Sequence, residues 1–231
     1  MSEGITPELF ARLESLYPQP QEGEISPWSF VAATAFSASN LPEAVPLVFQ
    51  YASKDLKSDE HRLLLARKLK DAIFKSGLLS GFPKAINALA KLHTALPESL
   101  RDVKALRDVS MSTEELHRIG QEHFTRTYGE TADSVQAFLR EISPDFEHFS
   151  TTFAYGYTYS FSQVLTAADT SFAMVAALIA SDTPPQIEWH LRGAMRNGAS
   201  RVEVIAVRDI SIEVAKVAGV VWKNQIPEVP T

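Results

Sequence analysis

A chain of 231 residues, 45% hydrophobic and 22% charged, holds enough apolar side chain for one substantial core or two small ones. Its formal net charge of −6, without any basic run, excludes nucleic acid and anionic membranes as primary partners. The absence of cysteine excludes disulfides, thiolate metal sites and thiol nucleophiles together.

The first sixteen residues are acidic, carry a single Arg and lack an apolar core, so neither a secretory nor a transit signal is read there. Leu9, Leu13 and Leu16 predict a short helix ending before Pro18, followed by a Pro/Glu/Gly-rich connector to Pro27. Trp28–Ser37 is apolar nearly all round and predicts a fully buried helix, broken at Asn40-Leu41-Pro42. A second helix is expected over Glu43–Lys54. A third is capped by Ser58, with Leu65, Leu69, Ala72, Ile73, Ser76 and Ser80 on one face and Asp71 and Lys75 off it. Gly81-Phe82-Pro83 ends it and starts the next helix, through Leu96.

Three more helices follow, to Tyr128 from the caps Ser112 and Thr113, over Thr131–Ile142, and from Ser143-Pro144 through an aromatic run ending at Phe161. Val202–Val214 is rich in β-branched residues, which favour strand. Against that, Ser200 and Glu203 form a capping box, and Val207, Ile210 and Val214 share one side of a helical wheel. Helix is the expectation. No apolar run approaches the ~20 residues that span a bilayer, the longest being Phe172–Ala180. The C-terminal Val229-Pro230-Thr231 is not the peroxisomal tripeptide, and a cytoplasmic protein is expected.

The chain also nearly repeats itself. Ser29–Pro42 and Ser171–Pro184 align without a gap, six of fourteen positions being identical, and the match runs on weakly to Ser58 and Ser200. A fixed internal period predicts two copies of one helical unit burying a core between them. The expected organisation is one all-α domain over 1–231, with an N-terminal helix and connector (1–26), a first repeat (27–97), connecting helices (98–166) and a second repeat (167–226).

Among the ionisable residues, His190 lies at the edge of the stripe formed by Ile187, Leu191, Ala194 and Met195. It reads either as a packed residue or as a proton donor or acceptor in a pocket. Trp189 points to the opposite face, where subunit contact is the expectation. Tyr155 and Tyr159, one turn apart and ahead of the buried helix, read as core residues with satisfied hydroxyls; His148 stands beside them. Glu147-His148 without further spaced ligands is a poor metal signature, and neither metal nor cofactor is expected. His61, His93, His117 and His123 are scattered and expected exposed.

The second half resembles the carboxymuconolactone decarboxylase family, which includes the alkylhydroperoxidase D-like (AhpD-like) proteins. The resemblance is carried by Ser143-Pro144-Asp145-Phe146, Tyr155-Gly156, Phe172–Ala180 and above all His190–Ser200. It implies the AhpD-like all-α fold. In the peroxidase branch it also implies a Cys-x-x-Cys pair, a His and an acidic relay residue, which fall here on Thr183, Gln186, His190 and Ser171. Thr and Gln supply no thiolate, so dithiol peroxide reduction is excluded. The decarboxylase branch has Arg-Glu where this chain has Thr170-Ser171, leaving His190 alone of the ionisable set.

The resemblance thus implies a cofactor-independent lyase or isomerase acting on a small organic acid or lactone. In that reading His190 is catalytic, while Tyr155, Tyr159, His148, Ser171, Thr183 and Gln186 surround the substrate. The alternative is a non-catalytic oligomeric binding or scaffold protein that keeps the fold. Family members with one repeat per chain form rings, so a homo-oligomer is expected, a trimer ahead of a dimer.

Overall fold

The computed structural model describes residues 4–20 and 23–231. Residues 1–3, the start of the stretch read above against signal segments, and 21–22 of the connector lie outside the described residues. Among the described residues there is no strand, and no helix is long and apolar enough to cross a membrane. The fold is the all-α, AhpD-like one expected.

Two helices make the centre. Every residue of Trp28–Ala38 (the second helix, α2, after α1 at Pro7–Leu16) is buried. After α3 (Ala44–Ser53), α4 (Asp59–Ser80), α5 (Phe82–Ala95), α6 (Thr113–Tyr128), α7 (Ala132–Ile142) and α8 (Pro144–Phe149) comes α9 (Ala167–Ala180), buried from Asp169 onward. α10 (Pro184–Arg196) and α11 (Arg201–Val217) follow. α2 and α9 pack on each other, and each also packs on both α4 and α11. A helix enclosed on all sides needs no polar stripe, which is why both read as apolar throughout.

Each central helix ends the same way. Asn40 after α2 and Asp182 after α9 are the non-glycine residues with positive φ (59° and 55°), among the described residues. Short polar side chains tolerate that conformation best. Ser58 and Ser200 then cap α4 and α11 by accepting from the backbone N–H three residues on. On α11, Glu203 closes the capping box, and Val207, Ile210 and Val214 are fully buried. Capping and packing together override the β propensity of that segment.

Asp71 and Lys75, off the apolar face of α4, are not solvated. Lys75 is fully buried, its Nζ donating to the Phe161 carbonyl (2.8 Å) and Thr170 Oγ1 (2.8 Å), with Asp71 Oδ2 at 3.0 Å. Asp71 also accepts from Arg107 at 2.6 Å. A lone buried charge costs several kcal/mol, and this one is matched on three sides. Burial still lowers the Lys75 pKa to about 8, against the opposing pull of Asp71.

Candidate functional site

α8 is started by Ser143, whose Oγ accepts from Phe146 N, and Pro144 fits its first position. The helix does not stop at Phe149. It widens into a π-helical segment over Ser150–Tyr159 that crosses α6 at close range. Both contact points are glycines. A Cβ on Gly120 would overlap the Thr151 carbonyl oxygen, and one on Gly156 would overlap the Leu116 carbonyl oxygen. α10 approaches α6 in the same manner, since a Cβ on Gly193 would stand 2.8 Å from Thr127 Cγ2.

Beside these close approaches lies a partly open cavity of about 210 Å³. The π-helical segment contributes Tyr155 and Tyr159, α6 contributes Tyr128, and α10 contributes Gln186, Trp189 and His190. Leu78, Leu79, Met174 and Leu178 form an apolar floor; Val135, Leu139, Phe146 and Phe149 form the outer wall. A buried network pins that wall. Gln136 on α7 donates to Glu147 Oε1 (2.9 Å) and Thr151 Oγ1 (3.1 Å), and shares hydrogen bonds with Gln121 of α6. Phe138, Ile142, Phe146 and Phe149 are about half exposed around the outer side. The segment between the two halves therefore forms one wall of the cavity.

Among the described residues no Lys, Arg, Asp or Glu lines it. His190 is 3% exposed, and its Nδ1 is buried without a hydrogen-bond partner among the described residues. Burial, then the nearby His123, lowers its pKa to about 4, so the imidazole is neutral at pH 7. The tyrosines are held the other way: burial raises the pKa of Tyr128, Tyr155 and Tyr159 above the usual phenol value, so all three are protonated. Tyr155 donates to the Tyr128 hydroxyl at 3.3 Å, which leaves the Tyr128 proton free to donate onward. The Tyr128 ring stands edge-on to His190 at 5.8 Å. A neutral proton acceptor thus faces uncharged hydroxyl donors across an apolar space.

Of the residues singled out from the sequence, His190, Tyr155, Tyr159 and Gln186 line this cavity. Ser171, Thr183 and His148 do not. Ser171 is buried and engaged with the Ala167 carbonyl and Asn197 Nδ2; Thr183 turns back to the Leu178 carbonyl. His148 is exposed and stacks on His117 at 6.0 Å. Trp189 is not turned away from the site but forms its wall, edge-on to Tyr128, because α10 packs against α6 as well as α9. Two functional candidates escaped the sequence reading. Tyr128 had a readable signal, an aromatic pair with Phe124 one helical turn apart. His123, expected exposed, is 6% exposed because the π-helical segment covers α6.

Residues 144–225 match the model of the carboxymuconolactone decarboxylase family. The chain is 31% identical over 197 residues to Peroxisomal protein 2 of Schizosaccharomyces pombe, covering 85% of this chain and 89% of that one. It is 27% identical to Peroxisomal protein 2 of Saccharomyces cerevisiae, covering 86% of this chain and 91% of the relative. These names overturn the cytoplasmic expectation, which rested on composition and on a missing terminal tripeptide.

Proposed function

The chain belongs to the carboxymuconolactone decarboxylase family, and on that footing we propose that it is a cofactor-independent isomerase of a small, uncharged carbonyl compound, an unsaturated lactone being the best fit. The observation that carries this reading is that no charged residue among the described ones lines the cavity beside a buried neutral imidazole. A carboxylate entering that space would lose its hydration without gaining a cation, a cost of several kcal/mol. A lactone carbonyl loses little and gains tyrosine hydroxyls. This separates the two substrate classes that the family resemblance leaves together, and it favours the lactone over the free acid.

The chemistry follows from the donors and acceptors. An imidazole nitrogen of His190 takes the proton on the carbon next to the carbonyl, and the electron pair moves onto the carbonyl oxygen. Hydroxyl protons from Tyr128 and Tyr159 stabilise that oxygen as charge develops. Return of the proton to a different carbon gives the isomer, so no atom is gained or lost. A weak base suffices when the oxyanion is well held. Gln186 and Trp189 fix the orientation of the ring.

The test is deuterium incorporation from D2O into the α position of five- and six-membered unsaturated lactones, followed by NMR. Wild-type protein is expected to accelerate it for at least one lactone, and His190→Gln to remove at least 95% of that acceleration. Undiminished exchange in the variant contradicts the assignment of His190. We further propose that the chain works in the peroxisome, as its relatives' names say of them. A fluorescent fusion at either end should co-localise with a peroxisomal marker; diffuse cytosolic signal from both fusions counts against this.

A further inference from the structure

Arg67, Lys70 and Asp71 of α4 face Asp102, Lys104 and Arg107, on the connection between α5 and α6, across a cleft of about 240 Å³. Among the described residues it shares no lining side chain with the cavity of His190, and it has no part in the isomerisation. The chain as a whole carries a net charge of −6, yet here the balance is reversed. Four cations and two carboxylates line the cleft, and the buried Lys75 draws on Asp71 from behind, so five cations share two acids.

The hydrogen bonds that hold these cations leave donors over. Asp102 accepts from Arg67 Nε at 2.8 Å and from Lys70 Nζ at 3.3 Å. Asp71 accepts from Arg107 Nη2 at 2.6 Å. Arg107 is fixed further by the Tyr157 and Thr158 carbonyls, at 3.2 and 3.1 Å. Its guanidinium lies over the rings of Phe74 and Phe161, at 4.7 and 4.3 Å. A cation held in this way gives up little freedom when a ligand arrives. Both terminal nitrogens of Arg67, Nη1 of Arg107 and Nζ of Lys104 have no hydrogen-bond partner among the described residues.

We propose that this cleft binds a phosphate monoester whose organic part is flat and apolar. A phosphate monoester brings nearly two negative charges at pH 7 and three acceptor oxygens, which answers both the excess of cations and the unused N–H groups. Planar guanidinium groups suit such oxygens because they donate in pairs. A carboxylate brings one charge and two oxygens, and leaves most of those donors unmet. Asp71 and Asp102 are each engaged by two cations, which offsets their repulsion of an incoming anion. Phe74, Leu89 and Leu106 line the same cleft and give the organic part an apolar surface to cover.

The test is calorimetry on the full chain at pH 7 with three probes: phenyl phosphate, inorganic phosphate and benzoate. Phenyl phosphate should bind at least fivefold more tightly than inorganic phosphate and at least tenfold more tightly than benzoate. Lys104→Glu should weaken phenyl phosphate at least tenfold, and Arg67→Gln at least fivefold. Lys104 is exposed and makes no ion pair among the described residues, so its replacement decides the matter if Arg67→Gln does not fold. Absence of phenyl phosphate binding to the wild-type chain at about 5 mM overturns the proposal. Undiminished affinity in Lys104→Glu overturns it too, since binding then lies elsewhere. Benzoate binding as tightly as phenyl phosphate refutes the choice of phosphate, and inorganic phosphate doing so refutes the part given to Phe74, Leu89 and Leu106. None of these outcomes depends on lactone turnover.

Discussion

His123 and His190 sit neutral in the interior, and the cost of that appears in acid. Both have pKa values near 4 in the folded chain, against about 6.5 when unfolded. Between those values the unfolded chain binds protons that the folded one refuses, so stability falls as pH drops from about 6.5 towards 4 and is unaffected above that window. Each histidine contributes a loss on the order of 3 kcal/mol over the window. Urea unfolding at pH 7 and pH 4.5 should show a fall that His123→Gln and His190→Gln each reduce; equal midpoints at the two pH values in wild type would refute it. At this scale His190 was singled out because helical spacing puts it at the edge of an apolar stripe, and Tyr155 and Tyr159 because the family resemblance implies that their segment lies beside the pocket; all three line the cavity. His123 and Lys75 were not singled out. Their burial is decided by segments far away in the chain, the π-helical turn for one and Thr170 with Phe161 for the other.

Among the elements, the helices around the centre could be read from caps and breaks: Ser58, Ser112, Ser143 and Ser200 all cap as their spacing predicts. The widening of α8 into a π-helical segment has no such signature. An aromatic run satisfies a 3.6-residue period loosely, and the wider winding is held by contact with α6 rather than by local propensity. The glycine pair at that crossing is what permits it. Gly156→Ala should therefore destabilise the chain by about 3 kcal/mol, because backbone and not a movable side chain stands in the way. Chemical denaturation measures this; a change under about 0.5 kcal/mol would mean that the two segments separate without cost. The same variant should weaken ligand binding, since Tyr155 and Tyr159 ride on the displaced segment.

Across the whole molecule, the two halves present the same order of parts: an enclosed helix, a left-handed Asn or Asp, a second helix, and a Ser-capped third. We read this as duplication of one unit, in line with the near-repeat in the sequence. Only the second half carries the imidazole; the position matching His190 is Val48, fully buried among apolar residues. Phe138, Ile142 and Phe146 leave an exposed apolar face beside the cavity. What sequence could not convey was the character of the cavity, because its walls come from α4, α6, α7, α8, α9, α10 and the π-helical segment at once. That character is the heart of the functional reading, and calorimetry tests it directly. An unsaturated lactone and its ring-opened hydroxy acid are titrated into the wild-type chain at pH 7. The lactone should bind at least tenfold more tightly than the acid; equal or tighter binding of the acid would contradict an uncharged, proton-transferring site.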